Sequence, residues 1–184
     1  MINARELADT EETPIDGLKC RALTRHEDSR GDLMEVYRNE WELDDTHPVQ
    51  WNVVHSRPNV LRGVHLHRRH KDSLTVLAGE LLLGLQDLRP DSSTGGTAIL
   101  IAIEAAEPAI VHIPIGVAHG FYFRQPTIHL YGVDVGFDGS DEFGCQWNDD
   151  AIMIPWPCAD PILSDRDIAA GTYAEMIRVA GLAS

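Results

Sequence analysis

Two stretches hold the side chains best suited to chemistry. Residues 59–79 read NVLRGVHLHRRHKDSLTVLAG and place His65 and His67 on alternate positions of an apolar strand leading toward Gly79. Alternate strand residues share a face, so both imidazoles are expected to point the same way. Residues 110–123, IVHIPIGVAHGFYF, offer a second apolar strand, a turn at Pro114, Ile115 and Gly116, and His119 as the next strand begins. Imidazole titrates near neutrality and ligates metals, so three histidines delivered to one cavity predict a chemical site. Arg62, Arg68, Arg69 and Lys71 flank the first stretch. They read either as contacts for an anionic ligand such as a nucleoside diphosphate or as a solvated basic turn.

The rest of the chain reads as the frame for those side chains. Short β-prone runs broken by turn residues cover 49–55, 60–67, 74–88 around Gly79, 97–103, 109–113 and 128–135. That spacing predicts an all-β antiparallel sandwich or barrel. The run RPDSSTGG at 89–96 is the clearest turn, and Pro126, Gly136 and Gly139 punctuate the later strands. Helical character is confined to a C-terminal segment over 164–181. There Ser164 can cap a helix with Asp165 and Asp167 in its first turn, and Ile168, Tyr173, Met176 and Ile177 are expected to form an apolar face. Residues 1–14 are polar and acidic and are expected to be flexible.

Composition narrows the class. A chain of 184 residues is long enough for one core, so a single domain over 1–184 is expected. A net charge of -14 argues against a general nucleic-acid partner or an anionic membrane surface, which call for clustered Lys and Arg. Cys20, Cys145 and Cys158 have no metal-type spacing and fit reduced thiols in a cytoplasmic protein. The N-terminal residues lack a secretory pattern, and no apolar stretch approaches membrane-spanning length.

In order along the chain stand Ser29-Arg30-Gly31 with Glu35, Gln50-Trp51-Asn52, Val60-Leu61-Arg62-Gly63-Val64-His65, Gly79-Glu80, Asp87-Leu88-Arg89, Ile113-Pro114 with Gly116 and His119-Gly120-Phe121, Leu130-Tyr131, Trp147-Asn148-Asp149, Trp156-Pro157, and Leu163-Ser164 with Asp167. Over most of its length this pattern resembles the dTDP-4-dehydrorhamnose 3,5-epimerase family, cupin-type double-stranded antiparallel jelly rolls acting on nucleotide-linked 4-keto-6-deoxy sugars. The resemblance implies His65 as general base, Asp167 as its supporting carboxylate and Tyr131 as the acid across the sugar ring. It also implies a ligand-binding set of Arg30, Glu35, Gln50, Asn52, Arg62 and His119, no cofactor, and a homodimer in which an arginine of one subunit completes the other's pocket. Taken singly, His65 fits a hydrogen-bonded core histidine, Tyr131 a half-buried strand aromatic and Asp167 a first-turn helix residue.

The chain departs from the family around the sugar ketone. Where the epimerases carry a lysine before the glycine turn, this chain has Asp72, with Lys71 one residue away and so expected on the other face. His67 replaces a glutamine, Leu83 an aspartate, and Gly136-Phe137 a tyrosine pair, keeping an aromatic for base stacking. His67 and Asp72 therefore join the pocket set, and His65, His67, Asp72 and His119 together match the ligand arrangement of metal-dependent cupins, suited to divalent Fe, Mn, Ni or Zn. The alternative is that His67 is a polar pocket residue and Asp72 the partner of Arg62, His67 or Lys71. Three functions stay open: a nucleotide-sugar epimerase, a metal-dependent cupin isomerase or oxygenase, and a non-catalytic sugar-nucleotide binding protein.

Overall fold

The computed structural model describes residues 1–182 apart from 9, 11, 42, 44, 137 and 138. The chain opens with strand β1 (Ile2–Asn3), helix α1 (Ala4–Leu7), β2 (Lys19–Ala22) and a hairpin of β3 (Arg25–Asp28) and β4 (Gly31–Met34). The main body follows as β5 (Gln50–Ser56), β6 (Val60–Leu66), β7 (Asp72–Ala78), β8 (Glu80–Asp87), β9 (Ala98–Glu104), β10 (Ala109–Ile113), β11 (Val117–Phe123) and β12 (Thr127–Val133). A short β13 (Phe143–Gly144) and helices α2 (Asp165–Ile168) and α3 (Tyr173–Val179) complete it.

These strands form a six-stranded sheet ordered β1-β9-β8-β11-β6-β13 and a five-stranded sheet ordered β2-β10-β7-β12-β5. The pairings within the main body are antiparallel, whereas β1 runs parallel to β9. Consecutive strands such as β7 and β8 lie in different sheets, joined at Gly79, whose φ of 83° a side-chain-bearing residue rarely adopts.

The expectation of a mostly-β chain is met, and the sequence of β8 shows how it is held. Leu81, Leu83 and Leu85 point into the core between the sheets, beside Leu74, Val76, Val111 and Phe123. Leu82 points to a second core on the other face, with Leu61, Val64, Leu66, Ile154 and Met176. The six-stranded sheet is thus covered on both faces, which is why β8 is a continuous apolar run rather than an alternating one. Gly84 leaves room there for the Trp156 ring, which a Cβ would meet at 2.4 Å.

Two expectations need correction. The N-terminal segment is not free through residue 14: β1 pairs with β9, Asn3 caps α1, and Ala4 and Leu7 are buried in the core between the sheets. Its polar composition conceals an apolar i, i+3 pair that suffices to dock one helical turn. The C-terminal segment is broken into α2 and α3 around Gly171, with Ser164 and Thr172 as separate caps. Met176 is buried, but Ile168 is 62% exposed and belongs to no apolar face.

Candidate active site

A cavity of about 320 Å³ lies between the sheets, lined from one side by β6 and β11 and from the other by β5, β7 and β12, with Glu142, Ser164, Arg166 and Asp167 at its edge. That volume is within the range of small-ligand sites. Arg62 and His65 both line it although they stand three residues apart on β6, where strict alternation would send them to opposite faces. A bulge resolves this. His119 pairs with His65 and Gly120 with Gly63, leaving Val64 as an extra residue. Gly63 holds φ at 121°, and a Cβ there would come within 2.8 Å of Gly120 Cα.

His65 is fixed by Asp167, whose Oδ1 lies 2.9 Å from His65 Nε2. The other carboxylate oxygen accepts from Ser164 Oγ at 2.9 Å, so the α2 cap also anchors the carboxylate. Burial opposes ionisation of Asp167, yet the hydrogen bonds from His65 and Ser164 outweigh it and hold its carboxyl below the usual range. An ionised acceptor at Nε2 requires that nitrogen to carry the proton, which leaves Nδ1 with the lone pair.

The opposite wall is a ladder of paired residues. On β5, Gln50, Asn52 and Val54 face the cavity at alternate positions, and their partners on β12 are Val133, Tyr131 and His129. Burial, with the Asp72 and Glu142 carboxylates adding to it, raises the Tyr131 phenol above the ordinary tyrosine range, so it keeps its proton at neutral pH. Arg62 is steered by a bond from its Nε to Ser56 Oγ at 3.1 Å, which leaves the rest of its guanidinium for a ligand. Gln50 Nε2 donates to Asn52 Oδ1 at 3.2 Å, while Asn52 Nδ2 is buried without a partner among the described residues.

Deeper in, Asp72 carries a buried carboxylate whose Oδ2 lies 3.6 Å from His67 Nε2 and 3.5 Å from His119 Nε2. Of the partners considered for Asp72, the structure chooses His67 and adds His119. Burial pushes both imidazoles down, His119 to about 4, and raises the Asp72 carboxyl.

His65, His67, Asp72, His119, Gln50, Asn52, Arg62, Tyr131 and Asp167 therefore line one cavity. Arg30 and Glu35 do not. Arg30 sits at the tip of the β3–β4 hairpin, 87% exposed and paired with Asp28, and Glu35 is exposed beside Arg38. The basic cluster also turns away, with Arg68 bonded to the Ala180 carbonyl, Arg69 to Ser140 and Lys71 to Asp45. Leu83 is a core residue, and Phe137 lies outside the described residues. The fourfold metal set is reduced as well: His67, Asp72 and His119 offer ligand atoms within 4.8 Å of one another, and His65 belongs with Asp167 instead. Sequence reading missed His70, His129, Glu142 and Arg166 as cavity residues. His129 was findable, two positions before Tyr131 on the same strand, whereas Glu142 arrives on an irregular segment with no periodic signal.

A family model described as dTDP-4-dehydrorhamnose 3,5-epimerase matches residues 12–175. This chain belongs to that family. The dTDP-4-dehydrorhamnose 3,5-epimerase fold carries it through most of its length: the structure of that epimerase from Bacillus anthracis, with TDP and pyrophosphate bound, superposes with a TM-score of 0.80 at 30% identity, covering 89% of this chain and 98% of that one. The Legionella pneumophila enzyme in complex with dTDP-4-keto-L-rhamnose gives a TM-score of 0.80 at 29% identity over 90% of this chain and 94% of that one. The spore coat polysaccharide biosynthesis protein SpsL of Bacillus subtilis is 32% identical over 146 residues, 77% of this chain and 96% of that protein. The chain is accordingly an isomerase-class carbohydrate epimerase of a nucleoside-diphosphate sugar. Among the described residues no helix is long and apolar enough to cross a membrane.

Proposed function

We propose that this epimerase inverts C3, C5 or both of a nucleoside-diphosphate 4-keto-6-deoxy sugar, with His65 as base, Asp167 as its orienting partner and Tyr131 as acid. The observation that carries the reading is the His65–Asp167 bond of 2.9 Å on one wall of a cavity whose other wall presents Tyr131. His65 Nδ1 takes the proton from the carbon next to the ketone, the C–H electron pair becomes the enolate, and the imidazolium is stabilised by the Asp167 carboxylate. Tyr131 then returns a proton to that carbon from the opposite face, and solvent exchange restores both groups. Base and acid on different sheets give inversion rather than return of the same proton.

Arg62 suits the diphosphate because its planar fork can donate two bonds at once, and the unpartnered Asn52 Nδ2 suits an acceptor on the sugar or nucleotide. The cupin-type jelly roll and a two-fold homodimer belong to the same reading, in a cytoplasmic protein with reduced thiols. In that dimer Arg30, exposed at a hairpin tip, reaches the partner's cavity rather than its own.

The test is incubation with dTDP-4-keto-6-deoxyglucose in heavy water, followed by NMR. Deuterium at C3, C5 or both is expected and assigns the reacting carbon. Protium retained at both positions overturns the reading for this substrate.

A further inference from the structure

We infer that His67, Asp72 and His119 form a binding site for a divalent transition-metal ion on the floor of the cavity. The far nitrogens of the two imidazoles fix their tautomers. His67 Nδ1 lies 2.8 Å from the Asp141 carbonyl oxygen and His119 Nδ1 3.2 Å from the Val117 carbonyl oxygen. A carbonyl only accepts, so each Nδ1 carries the ring proton and each Nε2 carries a lone pair. Both lone pairs converge on Asp72 Oδ2, which is an acceptor when ionised, at 3.6 and 3.5 Å.

Three acceptors facing one another need a positive centre between them, and the spacing says which kind. A shared proton would draw oxygen and nitrogen to about 2.7–2.9 Å. Bonds of about 2.0–2.1 Å to one tetrahedral metal ion hold neighbouring ligand atoms about 3.4 Å apart, close to the separations found here. Imidazoles whose second nitrogen donates to a backbone carbonyl are the arrangement that orients metal-ligating histidines. All three side chains are more than nine-tenths buried, at 7%, 6% and 3% exposure for His67, Asp72 and His119.

A competing group, His67, His70 and Glu142, shares His67. There Glu142 stands 3.6 Å from His67 Nδ1, the nitrogen already donating to Asp141, so no lone pair is offered on that side. Three protein ligands leave an open position, as catalytic metal sites do. Two neutral imidazoles and one carboxylate around a divalent ion sum to a net charge of about +1 by ordinary charge counting. Without the ion, the buried Asp72 carboxylate would repel an enolate forming in the same cavity; with it, the floor attracts that oxygen. This catalytic consequence rests on the epimerase reading, whereas the metal site does not.

The test is titration of the EDTA-dialysed protein with Co²⁺, followed by visible absorption. Saturation near one equivalent is expected, with affinity weakened at least about 100-fold in His67→Gln and Asp72→Asn and unchanged in Glu142→Gln. Wild-type binding no tighter than that of Asp72→Asn overturns the site, as does loss of binding in Glu142→Gln with retention in Asp72→Asn. Should Asp72→Asn fail to fold, ¹⁵N imidazole spectra of the wild type with Zn²⁺ decide the matter. Shifts at Nε2 of His67 and His119 are expected, and unchanged resonances overturn the proposal. A metal-loaded protein that exchanges no deuterium into the keto sugar would sink the epimerase reading and leave the metal site standing.

Discussion

The chemistry proposed for this epimerase depends on which nitrogen of His65 holds a proton, and a second side chain sets that. Asp167 accepts from Nε2 at 2.9 Å and is itself tied to Ser164. Asp167→Asn keeps the size of the partner but removes the charge that stabilises an imidazolium and lets the ring adopt the other tautomer. Turnover is expected to fall by about 10²- to 10⁴-fold with little change in KM, read by steady-state kinetics on the keto sugar. An Asn variant with wild-type kcat would show that the carboxylate is structural. That His65, Tyr131 and Asp167 share one cavity was legible in sequence through the family pattern, because each sits in a short motif. His129 shares the face of Tyr131 by the same two-residue period, whereas Glu142 was not legible, since a loop carboxylate has no spacing that separates it from an ordinary surface group.

Strand alternation explains most of the site, and its failure explains the rest. Gln50, Asn52 and Val54 follow the two-residue period, as do His129, Tyr131 and Val133. Arg62 and His65 break it, because the extra residue Val64 shifts the phase of β6. No pattern of apolar and polar residues announces such a bulge, although glycine before it is a permissive sign. Gly63→Ala forces a Cβ into Gly120 at 2.8 Å and strains a φ of 121°, so a loss of about 1–3 kcal/mol is expected in urea melts, together with reduced activity as Arg62 and His65 lose their common face. A second element behaves as a pH-dependent anchor. Asp87 ends β8 with bonds from Arg89 Nε at 2.8 Å, Ser92 Oγ at 2.7 Å and Thr94 Oγ1 at 2.7 Å, pinning the turn that the sequence marked most clearly. Burial opposes its ionisation, but these bonds prevail and hold its carboxyl far below the usual range. The stability they contribute is therefore full above about pH 4, the unfolded-state value, and fades as pH falls toward the folded-state value. Asp87→Asn should cost about 3 kcal/mol at pH 7, with the gap to wild type narrowing in melts near pH 3; an equal gap at both pH values would contradict this.

On the scale of the molecule, two sheets bring His65 and Tyr131, the proposed base and acid, to opposite walls, and the sheet that carries His65 is buried on both faces. Sequence revealed the strands of this core because their apolar runs are long. It missed β1, α1, β2 and the β3–β4 hairpin, which are short and polar and gain their place from docking rather than from their own pattern. That hairpin leaves Arg30 outside the lining of its own cavity, and a dimer in which it reaches the partner makes one prediction: Arg30→Ala should weaken dTDP binding about tenfold or more without lowering the melting temperature, measured by calorimetry and thermal unfolding. Unchanged affinity would place the hairpin outside the ligand's reach in the dimer as well. Removal of a carbon-bound proton by His65 is measured most directly as the rate of deuterium entry into dTDP-4-keto-6-deoxyglucose, wild type against His65→Gln. Exchange by the wild type and a loss of about 10²- to 10⁴-fold in a folded His65→Gln protein is the expected result. Equal exchange by the two proteins would mean that another group takes the proton.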